Sequence, residues 1–156
     1  MKSQTYGYSR KVIETFKHPK NIGEMKDADG FGMVGNPRCG DTMNMYLRIS
    51  KDGKERIEDV KIKTFGCLGA ISSSSVLTEM VKGKTINDAL KITKDQVVRE
   101  LGGLPPIKIH CSVLSIDALK EAVYNYYKKN GKKIPRDLQS VHEHNVKVCE
   151  GIEHMH

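Results

Sequence analysis

Alternating apolar and polar residues in the first half of the chain predict an antiparallel β-hairpin. Apolar side chains occupy every second position of its first strand, at Met43, Met45, Leu47 and Ile49. A period of two places them on one face of a half-buried strand. Asp52-Gly53 predicts the turn, because this pair favours tight hairpins. Val60 and Ile62 continue the alternation on the return strand.

Apolar residues spaced three and four positions apart predict helices on both sides of the hairpin. A short helix is predicted between a Ser9 cap and His18-Pro19, since serine caps helices and the residue before proline leaves the helical region. Four further helices are predicted. The first spans residues 70–81, the second begins at Thr85, the third begins at the capping-box pair Thr93 and Gln96, and the fourth spans about 112–129. The intervening Leu104-Pro105-Pro106 is predicted to be extended.

These elements define the expected fold class. With a further short strand over residues 31–34, they predict an α+β fold, a small antiparallel sheet of about three strands packed by several α-helices. The domain is expected to span residues 1–131, and 132–156 are expected to be a C-terminal tail or an extra helix.

Composition narrows the class of protein. A length of 156 residues suits one domain. No stretch reaches the apolar length that spans a bilayer. Met1–Gln4 are not followed by the apolar region of a secretory signal. We therefore expect a cytoplasmic protein, where thiols stay reduced. The net charge of +7 fits a solvated surface or a face for an acidic partner. Aromatic residues are few, so no nucleic-acid partner is expected.

Three of the four cysteines lie in settings typical of metal or sulfur chemistry. Cys39 lies in a turn rich in Gly, Asn and Pro, Cys67 follows the predicted return strand, and Cys111 follows His110. Cys67 and Cys111 are each predicted just before a helix, where free N–H groups lower a thiol pKa. Each cysteine taken alone could equally be a small buried core residue. None lies on a periodic apolar face, which favours a shared thiolate site.

Polar neighbours extend this candidate site. Asp41 could be a fourth ligand or cap its turn, and an oxygen ligand would weaken the hold on a thiophilic metal. His110 could bind metal, accept a proton from Cys111 or bond to backbone. Lys108 alternates with His110 along the predicted extended segment, so it could stabilise thiolates or be solvated. The Ser72–Ser75 run is interpreted as a packed small-residue helix face rather than a phosphate site.

Several segments of the sequence, taken in order, form a recognisable set of motifs. They are Tyr8–Val12, His18–Asn21, Gly35–Asp41, Lys63–Cys67, Ala70–Ser74 and Leu104–Ser112. Together they resemble the IscU family of iron–sulfur cluster assembly scaffolds, which is related to the N-terminal domain of NifU. The resemblance covers roughly residues 6–129, more than a single short motif.

The resemblance implies an assembly scaffold rather than an enzyme. It would accept persulfide sulfur from a PLP-dependent cysteine desulfurase of the IscS or NifS type, bind iron, and pass a 2Fe-2S cluster to apoproteins such as ferredoxin. The cluster ligands it implies are Cys39, Cys67, Cys111 and Asp41 or His110. Zinc is the alternative occupant.

The resemblance also implies roles for particular residues. Cys111 matches the main persulfide acceptor, and Asp41 matches the aspartate that keeps the cluster labile. Tyr8 matches a tyrosine linked to self-association during sulfide formation, which implies a homodimer. The stretch Leu104–Lys108 matches the site for a DnaK-like chaperone, and frataxin is a further candidate partner.

The chain departs from the family pattern in a few places. Leu68 replaces a small residue after Cys67, and Ile107 replaces a valine. The longer C-terminal segment is interpreted as an exposed, partly disordered tail, or as a second metal site or docking arm, because it holds His142, His144, Cys149, His154 and His156.

Two alternative functions are also compatible with these sequence features. One is a zinc-bound, SufU-like sulfur acceptor that activates a cysteine desulfurase. The other is a basic RNA-binding adaptor with structural zinc, for which the sequence offers no recognisable surface.

Overall fold

The computed structural model describes residues 8–36 and 40–153, without the side chains of 36, 107 and 148–153. Its helices and strands follow the order predicted from the sequence. They are α1 (Arg10–Lys17), β1 (Gly30–Asn36), β2 (Asp41–Ile49), β3 (Ile57–Phe65), α2 (Leu68–Val81), α3 (Ile86–Ala89), α4 (Lys94–Glu100), α5 (Ile109–Lys129) and α6 (Arg136–Glu153).

The three strands form one antiparallel sheet in the order β1-β2-β3. The alternation in β2 is confirmed, because its apolar side chains are fully buried at Met43, Met45, Leu47 and Ile49. Val60 and Ile62 of β3 are buried on the same face, opposite Leu47 and Met45. The other face carries polar and exposed residues, so only one face of the sheet belongs to the core.

Helices α2 and α5 cover the apolar face of the sheet. Glycines in β1 permit the close approach of α5, since a Cβ on Gly32 would lie 2.5 Å from the Ala122 nitrogen. The predicted stripe of α5 is confirmed: its buried residues include Leu119, Ala122, Val123 and Tyr126. These contacts make α5 the central helix of the core.

Helix α2 packs through small polar side chains, as its serine run predicted. Ser72, Ser73, Ser74 and Ser75 are all buried. Ser72 Oγ donates to the Val12 carbonyl of α1 at 2.9 Å, and Ser73 Oγ donates to the Cys111 carbonyl of α5 at 3.2 Å. These hydroxyls satisfy the polar groups that close helix packing removes from water.

The helix caps were also predicted correctly. Ser9 Oγ accepts from the Val12 N–H at 3.1 Å, at the start of α1. Thr93 and Gln96 form a reciprocal capping box at α4. Thr85 caps the short α3.

The segment before α5 differs from the prediction. Residues Pro106–Lys108 form a 3-10 turn, and α5 begins at Ile109 rather than near Ser112. Pro105 is extended, with φ −55° and ψ 142°. A proline tolerates the first turn of a helix, where its missing N–H would have no partner anyway. Lys108 and His110 therefore follow a helical path and not the predicted strand-like alternation.

The C-terminal segment contains a helix rather than only a tail. Helix α6 packs against α5 and β1. The buried Glu121 of α5 links this helix to α6. Its carboxylate contacts His142 Nδ1 at 2.6 Å and accepts a hydrogen bond from Asn145 Nδ2 at 3.2 Å. The His142 ring also stacks on Tyr124, with centroids 3.9 Å apart.

Candidate metal centre

Residues from separate elements meet at one end of the sheet. Asp41 is the first residue of β2, Cys67 caps α2, and Cys111 lies in the first turn of α5. One ligand atom from each lies within 4.8 Å of the other two. Among the residues that the structure describes, no other group of three or more such side chains is as close.

The distances within this group are short. Cys67 Sγ lies 3.3 Å from Cys111 Sγ and 3.6 Å from Asp41 Oδ2. Cys111 Sγ lies 3.9 Å from the same oxygen. Cys111 is fully buried and Asp41 is 3% exposed, whereas Cys67 is partly exposed. The site therefore opens to solvent on the Cys67 side.

The environment of Cys67 favours its thiolate. The hydrogen bond between the Cys67 and Cys111 sulfurs is the largest cause that lowers the pKa of Cys67, to about 6. Burial opposes this shift, and so does the Asp41 carboxylate, while the Ala70 N–H and the Lys108 ammonium support it. The Ala70 nitrogen lies 3.4 Å from Cys67 Sγ, as expected for a helix N-cap. Cys67 can thus act as a metal ligand near neutral pH.

Lys108 and Tyr8 lie within electrostatic reach of this thiolate. The negative charge of Cys67 is the largest cause that raises the pKa of Lys108. Burial is the largest cause that raises the pKa of Tyr8, and the charge of Cys67 adds to it. The structure therefore brings both residues to the site, although the roles that the resemblance implies for them remain predictions.

His110 also lies beside the thiols. Its Nε2 atom is 3.7 Å from Cys111 Sγ, within the first turn of α5. The ring can exchange a proton with the neighbouring thiol or turn to bind metal, which are two of the three roles that the sequence left open.

Cys39 lies outside the described residues, so its predicted ligation stays a prediction. The strand register pairs Asn36 with Asp41. The chain therefore enters and leaves the segment that contains Cys39 beside Asp41.

Cys111 corrects one prediction and reveals a contact that was missed. It lies inside α5 rather than just before a helix. Its sulfur packs against Gly69, where a Cβ would lie 3.4 Å from Cys111 Sγ and 3.6 Å from Cys67 Sγ. The sequence signal for this contact is the pair of glycines that surround Cys67 and Leu68.

The predicted second metal site in the C-terminal segment is not formed by its described residues. His142 contacts Glu121 instead, and His144 is exposed. His154, His156 and the side chain of Cys149 lie outside the described residues.

A cleft of about 900 Å³ lies away from the thiols, between α1, α2 and α4. Lysine and glutamate side chains line it together, among them Lys11, Glu14, Glu79 and Lys91. Its lining also contains His18 but none of the cysteines, so the site with thiols for metal or sulfur chemistry remains the group of Asp41, Cys67 and Cys111.

The fold and this site define an α+β protein with a carboxylate and thiols arranged to bind a thiophilic metal. The family model described as NifU-like N terminal domain matches residues 7–133. The chain belongs to this family, as its motifs predicted. The part of the chain that the structure describes contains no helix long and apolar enough to cross a membrane.

Curated relatives support the same placement. The chain is 57% identical over 125 residues to "Iron-sulfur cluster assembly scaffold protein IscU 1" of Archaeoglobus fulgidus, covering 80% of each. It is 47% identical over 128 residues to the IscU scaffold protein of Aquifex aeolicus, covering 82% of this chain and 81% of the relative. It is 46% identical over 127 residues to the IscU scaffold protein of Haemophilus influenzae, covering 80% of this chain and 98% of the relative. These names are those of scaffolds, which confirms the prediction of a scaffold rather than an enzyme.

Solved structures confirm the fold. A protein described as an iron–sulfur cluster assembly scaffold for the SUF system, from Fervidobacterium islandicum, superposes with a TM-score of 0.63 at 23% identity, covering 78% of this chain and 99% of that one. A NifU-like protein (N-terminal) from Brucella abortus gives 0.61 at 21% identity, with 78% and 94% covered. At these identities the likeness concerns architecture alone.

Proposed function

We propose that this chain is a scaffold on which a 2Fe-2S cluster is assembled and from which the cluster is released to apoproteins. The observation that carries the proposal is the convergence of Asp41 Oδ2 with the sulfurs of Cys67 and Cys111 within 4.8 Å. Family membership supports it. Cys39 is proposed as the third thiolate, and His110 as an alternative ligand to Asp41.

The donor set suits a cargo that must be both held and released. Thiolates are soft ligands that bind iron–sulfur clusters and zinc, whereas a carboxylate is hard and holds such metals less tightly. The partly exposed Cys67 gives the cargo a path to solvent. We propose that Asp41 keeps the cluster labile, and that zinc occupies the same ligands in the absence of a cluster.

Cys111 is proposed to accept persulfide sulfur from a cysteine desulfurase of the IscS or NifS type. Cys111 is fully buried, so this role requires the Pro106–Lys108 turn and the start of α5 to move when the donor docks. Lys108 would stabilise the thiolates, and Tyr8 would take part in self-association as a homodimer during sulfide formation.

The partners proposed are the desulfurase, acceptors such as an apo-ferredoxin, frataxin, and a DnaK-like chaperone at Leu104–Lys108. All of this would take place in the cytoplasm. The exposed Val113 and Phe65 flank the site, and they would contribute apolar contact area to such partners.

Anaerobic reconstitution tests the proposed function. The protein is incubated with ferrous iron, cysteine and a cysteine desulfurase, and iron, acid-labile sulfide and absorption are measured. We expect iron and sulfide in equal amounts with thiolate-to-iron bands, and loss of both in Cys67→Ala. Cys149→Ala is the control, since this cysteine belongs to none of the family motifs in the sequence.

The alternative SufU-like function predicts a different result in the same experiment. With zinc and desulfurase turnover also measured, zinc without sulfide and faster turnover of the desulfurase would favour the sulfur acceptor. Failure to form a cluster during reconstitution would contradict the scaffold.

A further inference from the structure

Gly66 separates the end of β3 from Cys67, and the space beside it is filled by Asp41. A Cβ built on Gly66 would lie 2.8 Å from both Cγ and Oδ1 of Asp41. It would also lie 3.1 Å from the Ala70 Cβ. Contacts below 3.0 Å to a side chain in a packed site force that side chain to move.

The backbone does not require glycine at this position. The glycines with positive φ among the described residues are 23, 40, 53, 83, 102, 103 and 131. Gly66 is not among them, so an alanine could adopt its conformation without strain. The absence of a side chain therefore serves its neighbour and not the turn.

The Asp41 carboxylate lies between Gly66 and the thiols. Its Oδ1 faces the position that a Gly66 Cβ would occupy, and its Oδ2 lies 3.6 Å from Cys67 Sγ and 3.9 Å from Cys111 Sγ. Asp41 is only 3% exposed, so the surrounding protein leaves it little room to retreat. A methyl group at position 66 would have to move the carboxylate relative to the sulfurs.

We propose that Gly66 is a positioning residue for the metal centre: its lack of a side chain seats the Asp41 carboxylate against the two thiols. The inference rests on the proposed function in one respect, namely that Asp41 serves as a metal ligand. The seating of the carboxylate itself is a property of the metal-free protein, which allows the two ideas to be tested separately.

The first test measures the stability of the metal-free protein in a double-mutant cycle. We expect Gly66→Ala to lower the unfolding midpoint in the wild-type background. In Asp41→Ala the crowded atoms are gone, so adding Gly66→Ala should lower the midpoint much less, leaving only the contact with Ala70. Equal losses in both backgrounds would overturn the proposal, because close, coupled sites are expected to be non-additive.

The second test uses Co²⁺ alone as a spectroscopic probe of the ligands. We expect Gly66→Ala to shift the cobalt bands toward those of Asp41→Ala and to weaken Co²⁺ binding by a similar factor, with no further loss in the double variant. A wild-type cobalt spectrum and affinity in Gly66→Ala would overturn the proposal.

The matched control is Gly53→Ala. Gly53 lies in the β2–β3 turn with φ +85°, and a Cβ there would meet no atom within 4 Å. The substitution should lower stability through backbone strain while the cobalt spectrum stays unchanged, which separates positioning from general destabilisation.

The two tests fail in different ways. If the wild-type protein shows no thiolate-to-cobalt bands, the proposed function fails, and the stability cycle still decides the role of Gly66. If the bands appear but the Gly66 and Asp41 variants behave independently, only the positioning role fails.

Discussion

Two cysteines of similar sequence setting have different surroundings. Cys67 is partly exposed at a helix N-cap, and its pKa is lowered to about 6. Cys111 is fully buried, and its Sγ lies 3.3 Å from that of Cys67. The pair thus combines a partly exposed sulfur, whose surroundings favour the thiolate, with a buried sulfur beneath it.

This difference predicts the pH dependence of alkylation in the metal-free protein. Because the Cys67 pKa is lowered, its thiolate should persist as pH falls and be lost only below a midpoint of about 6. Iodoacetamide rates measured by peptide mass spectrometry should show this midpoint for Cys67 and slow reaction at Cys111. Lys108→Met should raise the midpoint, since it removes a supporting cation. A midpoint near the ordinary thiol value, or equal rates at both cysteines, would contradict the account.

The proposed persulfide role of Cys111 gives another prediction about a single residue. Cys111→Ser should abolish persulfide uptake from a desulfurase while circular dichroism shows an intact fold, because serine keeps the volume and loses the nucleophile. Mass spectrometry of the trapped persulfide is the measurement. Normal persulfidation at Cys67 or Cys39 in that variant would show that Cys111 is not the acceptor.

At the scale of elements, the site depends on how closely β1 and α5 pack. A Cβ on Gly32 would lie 2.5 Å from the Ala122 nitrogen and 2.7 Å from the Ala118 oxygen. Both atoms belong to a helix backbone that cannot move aside locally. The contact therefore fixes the position of α5, and with it that of Cys111.

Gly32→Ala should consequently destabilise the protein by about 1–3 kcal/mol, the usual cost of overpacking. Urea unfolding measures the change. Met33→Ala is the control on the same strand, because Met33 is 53% exposed on the opposite face and should change the free energy of unfolding by less than about 0.5 kcal/mol. Equal effects of the two substitutions would refute the close packing.

The contact between α5 and α6 gives a second prediction at this scale. His142→Ala should cost about 1–3 kcal/mol, because the buried Glu121 loses one of its hydrogen-bond partners. Thermal unfolding of the variants measures the change. His144→Ala, an exposed substitution on the same helix, should have little effect on the stability. If both substitutions were neutral, Glu121 would not anchor α6.

The elements differ in how far the sequence predicts them. Met43 to Ile49 alternate strictly, so β2 could be predicted from period alone. Pro105 and Pro106 misled the prediction, because the rule for a residue before proline restricts Leu104 and Pro105 but leaves Pro106 free to begin a 3-10 turn. The residue at which a turn passes into a helix depends on tertiary packing, and local sequence patterns carry no information about that packing.

Asp41, Cys67 and Cys111, three of the ligands proposed from the sequence, lie close together in the structure, but the geometry of the group could not be predicted. Cys67 and Cys111 are 44 positions apart, so no spacing rule brings their sulfurs within 3.3 Å. Their local settings and the motif resemblance selected the two cysteines, and the crossing of α2 and α5 at Ser73 brings them together. The space that Gly66 leaves for Asp41 has no signal in local periodicity.

At the scale of the whole molecule, the structure combines a rigid core with a site at its edge. The sheet, α2 and α5 bury one continuous apolar core. The site lies where β2, α2 and α5 begin, so its ligands come from ends of elements, which move more readily than their centres. The net charge of +7 would steer acidic partners to the protein. Holding and releasing cargo is consistent with this arrangement.

Transfer of the cluster to an apo-ferredoxin measures whether the protein holds a cluster in a form that it can release. Reconstituted protein is mixed with the acceptor, and the spectrum of the acceptor cluster is followed in time. We predict transfer by the wild-type protein and slower transfer by Asp41→Ala, because His110, the proposed alternative ligand, would then replace the more weakly binding carboxylate. Failure of the wild-type protein to transfer, or an unchanged rate in Asp41→Ala, would contradict the account.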